Sequence, residues 1–120
     1  MSDDDLRDVL RMLFEEVGYR VLEAHSALTA LALLLRSREP LVVLLERYLR
    51  GTDAAERLLR LAASGPLARH RFLLLTSDGL ERHPQGLRHQ VLSQAIPVLT
   101  MPFEFDDVLH EVARTQSQLY

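Results

Sequence analysis

The sequence predicts an α/β fold, a mostly parallel sheet with helices on both faces, and three observations carry that prediction. Two short apolar runs, within Leu41 to Glu46 and Phe72 to Ser77, have the length and composition of strands buried on both faces of a parallel sheet. Segments with apolar residues at helical spacing lie before, between and after them. The two patterns alternate along the chain, which implies βαβ units and not helices segregated from strands.

The elements follow in order. Leu6, Val9, Leu10, Leu13 and Val17 recur at helical spacing with Asp8, Arg11, Glu15 and Glu16 between them, so the first element is an amphipathic helix. Ser2 to Asp5 offers a cap with acids beside the positive end of the dipole, and Gly18 offers the stop. Tyr19 to Ala24 alternates in the manner of a strand. Ser26 can cap a second helix over Ala27 to Ser37, which Pro40 keeps from continuing. The strand Leu41 to Glu46 ends on an acid. Gly51-Thr52-Asp53 then breaks the chain, and Thr52 or Asp53 caps a third helix, Ala54 to Ala63, that Gly65-Pro66 ends. After the strand Phe72 to Ser77 comes a polar turn, Asp78 to Gln85, with Pro84 set in the first turn of a fourth helix carrying Leu87, Val91 and Leu92. Ile96 to Thr100 is a short last strand. From Glu104 a final helix buries Val108, Leu109 and Val112, and the polar tail from Thr115 is expected to fray.

Composition sets the class. A chain of 120 residues, 48% apolar and 26% charged, suits one globular domain over 1–120, which buries roughly two-thirds of its unfolded surface. It has no cysteine, which excludes disulfides and thiolate metal sites. The start, MSDDD, lacks the basic and apolar regions of a secretory signal, and Leu28 to Leu35 falls short of the roughly 20 residues that span a bilayer. A cytoplasmic protein with no membrane partner is the expectation. A net charge of -3 with scattered arginines gives no basic patch for nucleic acid. No G-x-G-x-x-G, P-loop, G-x-S-x-G or zinc motif is present, so no enzyme is expected. In such sheets ligands sit beyond the carboxyl ends of the strands, here Glu46, Thr76-Ser77 and Thr100-Met101.

Four segments in this order, LRDVLRMLFEEVGYRVLEA, PLVVLLERYLRGTDAAERLLRL, GPLARHRFLLLTS and VLTMPFEFDDVLHEV, resemble the receiver domain of two-component response regulators over nearly the whole chain. The resemblance implies a flavodoxin-like three-layer α/β/α fold and a phosphoryl-accepting site that is largely missing here. Where the family has its phospho-accepting aspartate this chain has Glu46, with Arg50-Gly51 in place of the proline-glycine turn. The family's phosphoryl-contacting hydroxyl is retained as Thr76. Its lysine is replaced by Met101, ahead of Pro102, and its aromatic switch by Val98. The resemblance implies a cis peptide before Pro102. The family's metal-binding acids fall on Met1 and Ser2, which leaves Asp3 and Asp4 as weak, out-of-register remnants and otherwise a helix cap.

These replacements matter chemically. Moving a phosphoryl group onto a carboxylate needs its negative charge neutralised by a divalent cation and a fixed cationic side chain. Met101 is uncharged, and the loss of both metal-binding acids should remove most affinity for magnesium, so no cofactor is expected. Glutamate also displaces its carboxylate by roughly 1.5 Å, and about 1 Å of misplacement can cost on the order of 100-fold in rate. Glu46 admits two readings, a carboxylate standing in for a phosphoaspartyl group or a half-solvated acid paired with Arg47 or Arg50. Thr76 likewise reads as a phosphoryl contact or as a hydroxyl bonded to local backbone, and Asp53 as a cap. His25, His70, His83, His89 and His110 lack compact ligand spacing and are expected at the surface.

The resemblance places an apolar strand before the first helix, between the second and third strands, and no such strand is visible in the sequence. A four-stranded sheet is expected, in which Tyr19 to Ala24 slides across to pair with Leu41 to Glu46; a donated strand or a longer natural protein are the other solutions. The second helix, with Leu28, Leu31, Leu33, Leu34 and Leu35, is apolar on most faces and so is either a core helix or a contact for a second copy or partner. The expected function is that of a phosphorylation-independent pseudo-receiver, a protein-interaction module in a phosphorelay whose partner is a histidine kinase, an effector protein or another copy. An active receiver phosphorylated through an atypical acceptor is the first alternative, and a small α/β enzyme the second.

Overall fold

Among the residues that the computed structural model describes, 3–46, 54–77, 79 and 82–119, five helices and three strands alternate. They are α1 (Asp3–Glu16), α2 (Ala27–Arg36), β1 (Val42–Glu46), α3 (Ala54–Ser64), β2 (Arg71–Thr76), α4 (Gln85–Ser93), β3 (Val98–Thr100) and α5 (Phe105–Gln116). The strands form one parallel sheet in the order β1, β2, β3. Central β2 is buried at every residue after Arg71, as its unbroken apolar run requires.

Alternation along the strands splits the core into two layers. Phe72, Leu74 and Leu45 face α2, α3 and α4, where they meet Leu34, Leu58, Leu59 and Val91. Leu73 and Leu75 face α1 and α5, where they meet Leu10, Phe14, Val108 and Val112. Helices therefore cover both faces, the three-layer arrangement of a flavodoxin-like fold. Leu59 and Leu73, fully buried on opposite sides of the sheet, each contribute about 1.5–3 kcal/mol by leaving water.

The expected fourth strand does not form. Tyr19 to Ala24 carries no strand pairing, although its alternation is real: Tyr19, Val21 and Glu23 turn inward while Arg20 and Leu22 are exposed. Alternation reports that one face is covered, whereas a ladder also needs a neighbouring edge in register. The ring of Tyr19 stacks edge-on against Phe14 of α1 at 5.6 Å, and Arg11 of α1 reaches Glu23 at 3.6 Å. These contacts hold the segment to α1. Among the described residues, no strand pairs with the outer edge of β1. The Arg71 N–H bonds to the Leu41 carbonyl at 3.0 Å, so Leu41, Val43 and Leu45 aim their main-chain groups at β2. Val42 and Leu44 aim theirs outward, where no described strand pairs with them.

Other boundaries shift for local reasons. β3 begins at Val98 and not Ile96, because the Ile96 N–H is taken by the Val91 carbonyl at the end of α4 and Pro97 has no N–H to give. Pro84 sits at the cap position of α4 and not inside its first turn. Thr115 is buried within α5, which runs to Gln116, so the tail does not fray there.

Two of the five histidines correct the surface expectation. His70, 2% exposed, accepts a hydrogen bond at Nδ1 from the Leu41 N–H at 2.9 Å and lies 3.0 Å from the Leu34 carbonyl through Nε2. With Nδ1 accepting, the ring proton belongs on Nε2, which donates to Leu34. One neutral imidazole thus joins the end of α2 to the start of β1. Burial lowers its pKa from the ordinary 6.5, more than the bond to Leu34 raises it, and the charge of Arg69 lowers it further. His83 is the other buried histidine and belongs to the site described next.

Candidate functional site at the carboxyl ends of the strands

The parallel sheet brings the carboxyl ends of all three strands to one side of the molecule. Glu46 closes β1 beside Leu75, and Thr76 closes β2 beside Thr100 of β3. Glu46 is half-buried. By alternation it follows Val42 and Leu44 onto the α1/α5 face, whereas Thr76 follows Phe72 and Leu74 onto the α3/α4 face. Val98 also packs on the α3/α4 side as a partly buried aliphatic residue.

Thr76 is 3% exposed, and its hydroxyl lies 2.9 Å from Nε2 of His83, itself only 6% exposed. The contact runs between two side chains and ties the end of β2 to the connection that follows it. His83 is carried there by the connection from β2 to α4, in which the Arg82 N–H bonds to the Gly79 carbonyl and Pro84 leads into α4. Nothing in the local sequence marks His83 as buried, since it stands in a polar stretch and its partner is seven residues back. Only the fold reveals it.

Residue 101 stands directly beside Thr76. The Met101 N–H donates to the Thr76 carbonyl at 2.8 Å, and the Met101 side chain is 45% exposed. A lysine at 101 would therefore place its ammonium at this end of the sheet, and the thioether present there carries no charge. The Met101–Pro102 peptide is cis, and the chain turns there into α5, whose start is fixed by the Glu104 N–H donating to the Asp107 carboxylate at 3.3 Å.

Arg47, Arg50 to Asp53 and Asp78 lie outside the described residues, as do Met1 and Ser2. Asp3 and Asp4 are placed only as backbone in the first turn of α1. Glu46 is the one acid at the described strand ends, and no group of three His, Cys, Asp or Glu side chains gathers to hold a metal ion among the described residues. Magnesium bound through a single carboxylate would have to draw the rest of its octahedron from water, so the described donor set does not fit the cation. No described helix is long and apolar enough to cross a membrane.

No family model matches the chain, and no curated protein matches it in sequence. Among solved structures it is similar to a response regulator protein from Burkholderia pseudomallei, crystallised with a phosphorylated aspartic acid, calcium ion and citrate. The TM-score is 0.68 at 18% identity, over 97% of this chain and 67% of that one. The chain therefore has the α/β fold of a response-regulator receiver domain.

Proposed function

We propose that the chain is a pseudo-receiver, a protein-interaction module of two-component signalling that works without accepting a phosphoryl group. The observation that carries this reading is the place of Met101. Its amide is bonded to the Thr76 carbonyl, which sets residue 101 at the carboxyl end of β2, and a thioether at that residue supplies no cation to neutralise a transferred phosphate. Two further features support it. The Thr76 hydroxyl is already engaged by His83, and the acid closing β1 is a glutamate. The similar response regulator carries a phosphorylated aspartic acid and a calcium ion; here the acceptor position holds Glu46 and the described donors do not assemble a cation site. The protein is non-enzymatic and cytoplasmic on this reading. Its partner is another protein of the pathway, a histidine kinase or an effector.

The test is incubation with acetyl phosphate and magnesium followed by intact-mass measurement. The expected spectrum is unchanged. A gain of one phosphoryl group that disappears in Glu46→Ala would make the chain an active receiver with an atypical acceptor, and the proposal would be wrong.

A further inference from the structure

Among the described residues, nine large apolar side chains are left exposed; Leu61, Leu92 and Met101 lie apart from one another, and the other six are consecutive along the first third of the chain. Val9 and Met12 on α1, Val17 and Leu22 on the connection, and Leu28 and Leu35 on α2 all lie in the part of the chain that wraps the outer edge of β1. Leu28 reaches 78% exposure. The packing explains the geometry. α1 belongs to the layer on one face of the sheet and α2 to the layer on the other. The chain between them passes round the β1 side, where Tyr19 and Val21 pack in the same layer as Val42 and Leu44. The two helices therefore flank the outer edge from opposite faces.

Their charges are opposite too. On α1, Glu15 and Glu16 are exposed beside Met12, and on α2 and the residues after it Arg36 and Arg38 are exposed beside Leu35; Arg20 and Glu39, also exposed, lie outside these two pairs. None of these four makes an ion pair among the described residues. A surface with an acidic side and a basic side, related across one edge, is complementary to itself. A two-fold axis parallel to the strands exchanges the two sheet faces, so it sets α1 of one copy against α2 of the other, and at the same time α2 against α1.

We infer that this edge is the contact surface of a homodimer, with a second copy of the chain as its occupant and the acidic flank of each α1 on the basic flank of the other α2. Exposed leucine and methionine supply the apolar centre and the four unpaired charges supply orientation. A standard interface takes about 800 Å² from each partner, roughly a tenth of the 7518 Å² surface of this chain. Two helices and their connection can provide that. The inference rests on the fold and the edge and not on the loss of acceptor chemistry, so it stands or falls separately from the reading above.

Sedimentation velocity of the full chain over a wide concentration range tests it. The wild type is expected to pass from monomer to dimer, and to do so less readily as salt rises from about 0.02 M to about 1 M, over which the Debye length shrinks from roughly 20 Å to 3 Å. Two charge-reversed proteins decide the geometry, Glu15→Lys with Glu16→Lys, and Arg36→Glu with Arg38→Glu. Each alone should dimerise at least about tenfold more weakly, because like charges meet twice in its homodimer. Mixed one to one, they should form a heterodimer of near wild-type affinity, since each acidic flank then meets a basic one. Leu28→Asp, at an exposed position, should abolish the dimer while circular dichroism stays unchanged. A monomer at every concentration, a dimer indifferent to the reversals, or a mixture that fails to associate overturns the inference.

Discussion

His70 offers a stability prediction that can be worked from two distances. Replacing it with phenylalanine keeps a buried ring of similar size but removes both ring nitrogens. The Leu41 N–H, now 2.9 Å from Nδ1, and the Leu34 carbonyl, now 3.0 Å from Nε2, both lose their partner. Leaving a buried main-chain group unpaired costs about 1–3 kcal/mol. Phenylalanine is somewhat larger than histidine, so no cavity is left and any overpacking adds to the loss. His70→Phe should thus destabilise the fold by about 3 kcal/mol, which at a urea slope of about 1.5 kcal/mol/M lowers the midpoint by about 2 M. The effect should also depend on pH in a defined direction. The folded pKa of His70 lies below the ordinary 6.5 because burial disfavours the imidazolium. As pH falls below that ordinary value, the unfolded chain takes up a proton that the folded chain still refuses, and the wild type loses stability. A protonated Nδ1 would also confront the Leu41 N–H donor to donor. Phenylalanine has no such titration, so the gap between the two proteins should be widest above pH 6.5 and narrow in acid. Urea titrations followed by circular dichroism at several pH values read both quantities. A midpoint shift under about 0.3 M, or a gap that widens in acid, refutes the role of His70 in joining α2 to β1.

Three further predictions follow from single residues. Ala95, just after α4, holds a φ of 53°, a left-handed conformation that costs a non-glycine residue roughly 1 kcal/mol. Ala95→Gly should therefore raise the thermal midpoint by a few degrees, and a lower midpoint would contradict the strain. Gly18 ends α1 at a φ of 100°, and Gly18→Ala should cost about 1 kcal/mol or more in the same assay, where no loss would show that the turn relaxes. Thr76→Val removes the hydroxyl from the buried 2.9 Å contact with His83. A loss of about 1–2 kcal/mol is expected, together with changed NMR shifts for the His83 ring; an unmoved ring spectrum would mean that the contact does not order the loop.

Much of the fold is legible in the sequence because its signals are local. The apolar runs at Leu41 to Leu45 and Phe72 to Leu75 exceed what a one-sided strand needs, so β1 and β2 declare themselves buried on both faces. Glycine, proline and capping residues then mark most of the helix ends. Tyr19 to Ala24 misleads for a physical reason: alternation records which side chains are covered, and these are covered by Phe14 and Arg11 of α1, while no described strand pairs with the segment. The site is half legible. Glu46 and Met101 can be placed by counting from the strands, but the partner of Thr76 is a histidine in a polar loop, and its burial exists only once the connection folds over the strand end. His70 is hidden likewise, since its partners are 29 and 36 residues away. The outward edge of β1 and the leucines beside it become visible only when the sheet order is known.

The reading of this chain as a receiver that has lost its chemistry depends on the charge balance at the carboxyl ends of β1 and β2. Beryllofluoride with magnesium mimics the bound phosphoryl group, and an NMR titration of the isotope-labelled protein would report directly on Thr76, His83 and Met101. For a site without acceptor chemistry, these signals stay in place at saturating beryllofluoride. Stoichiometric shifts centred on Thr76, and lost on Glu46→Ala, would show a working phosphoryl pocket and contradict that reading.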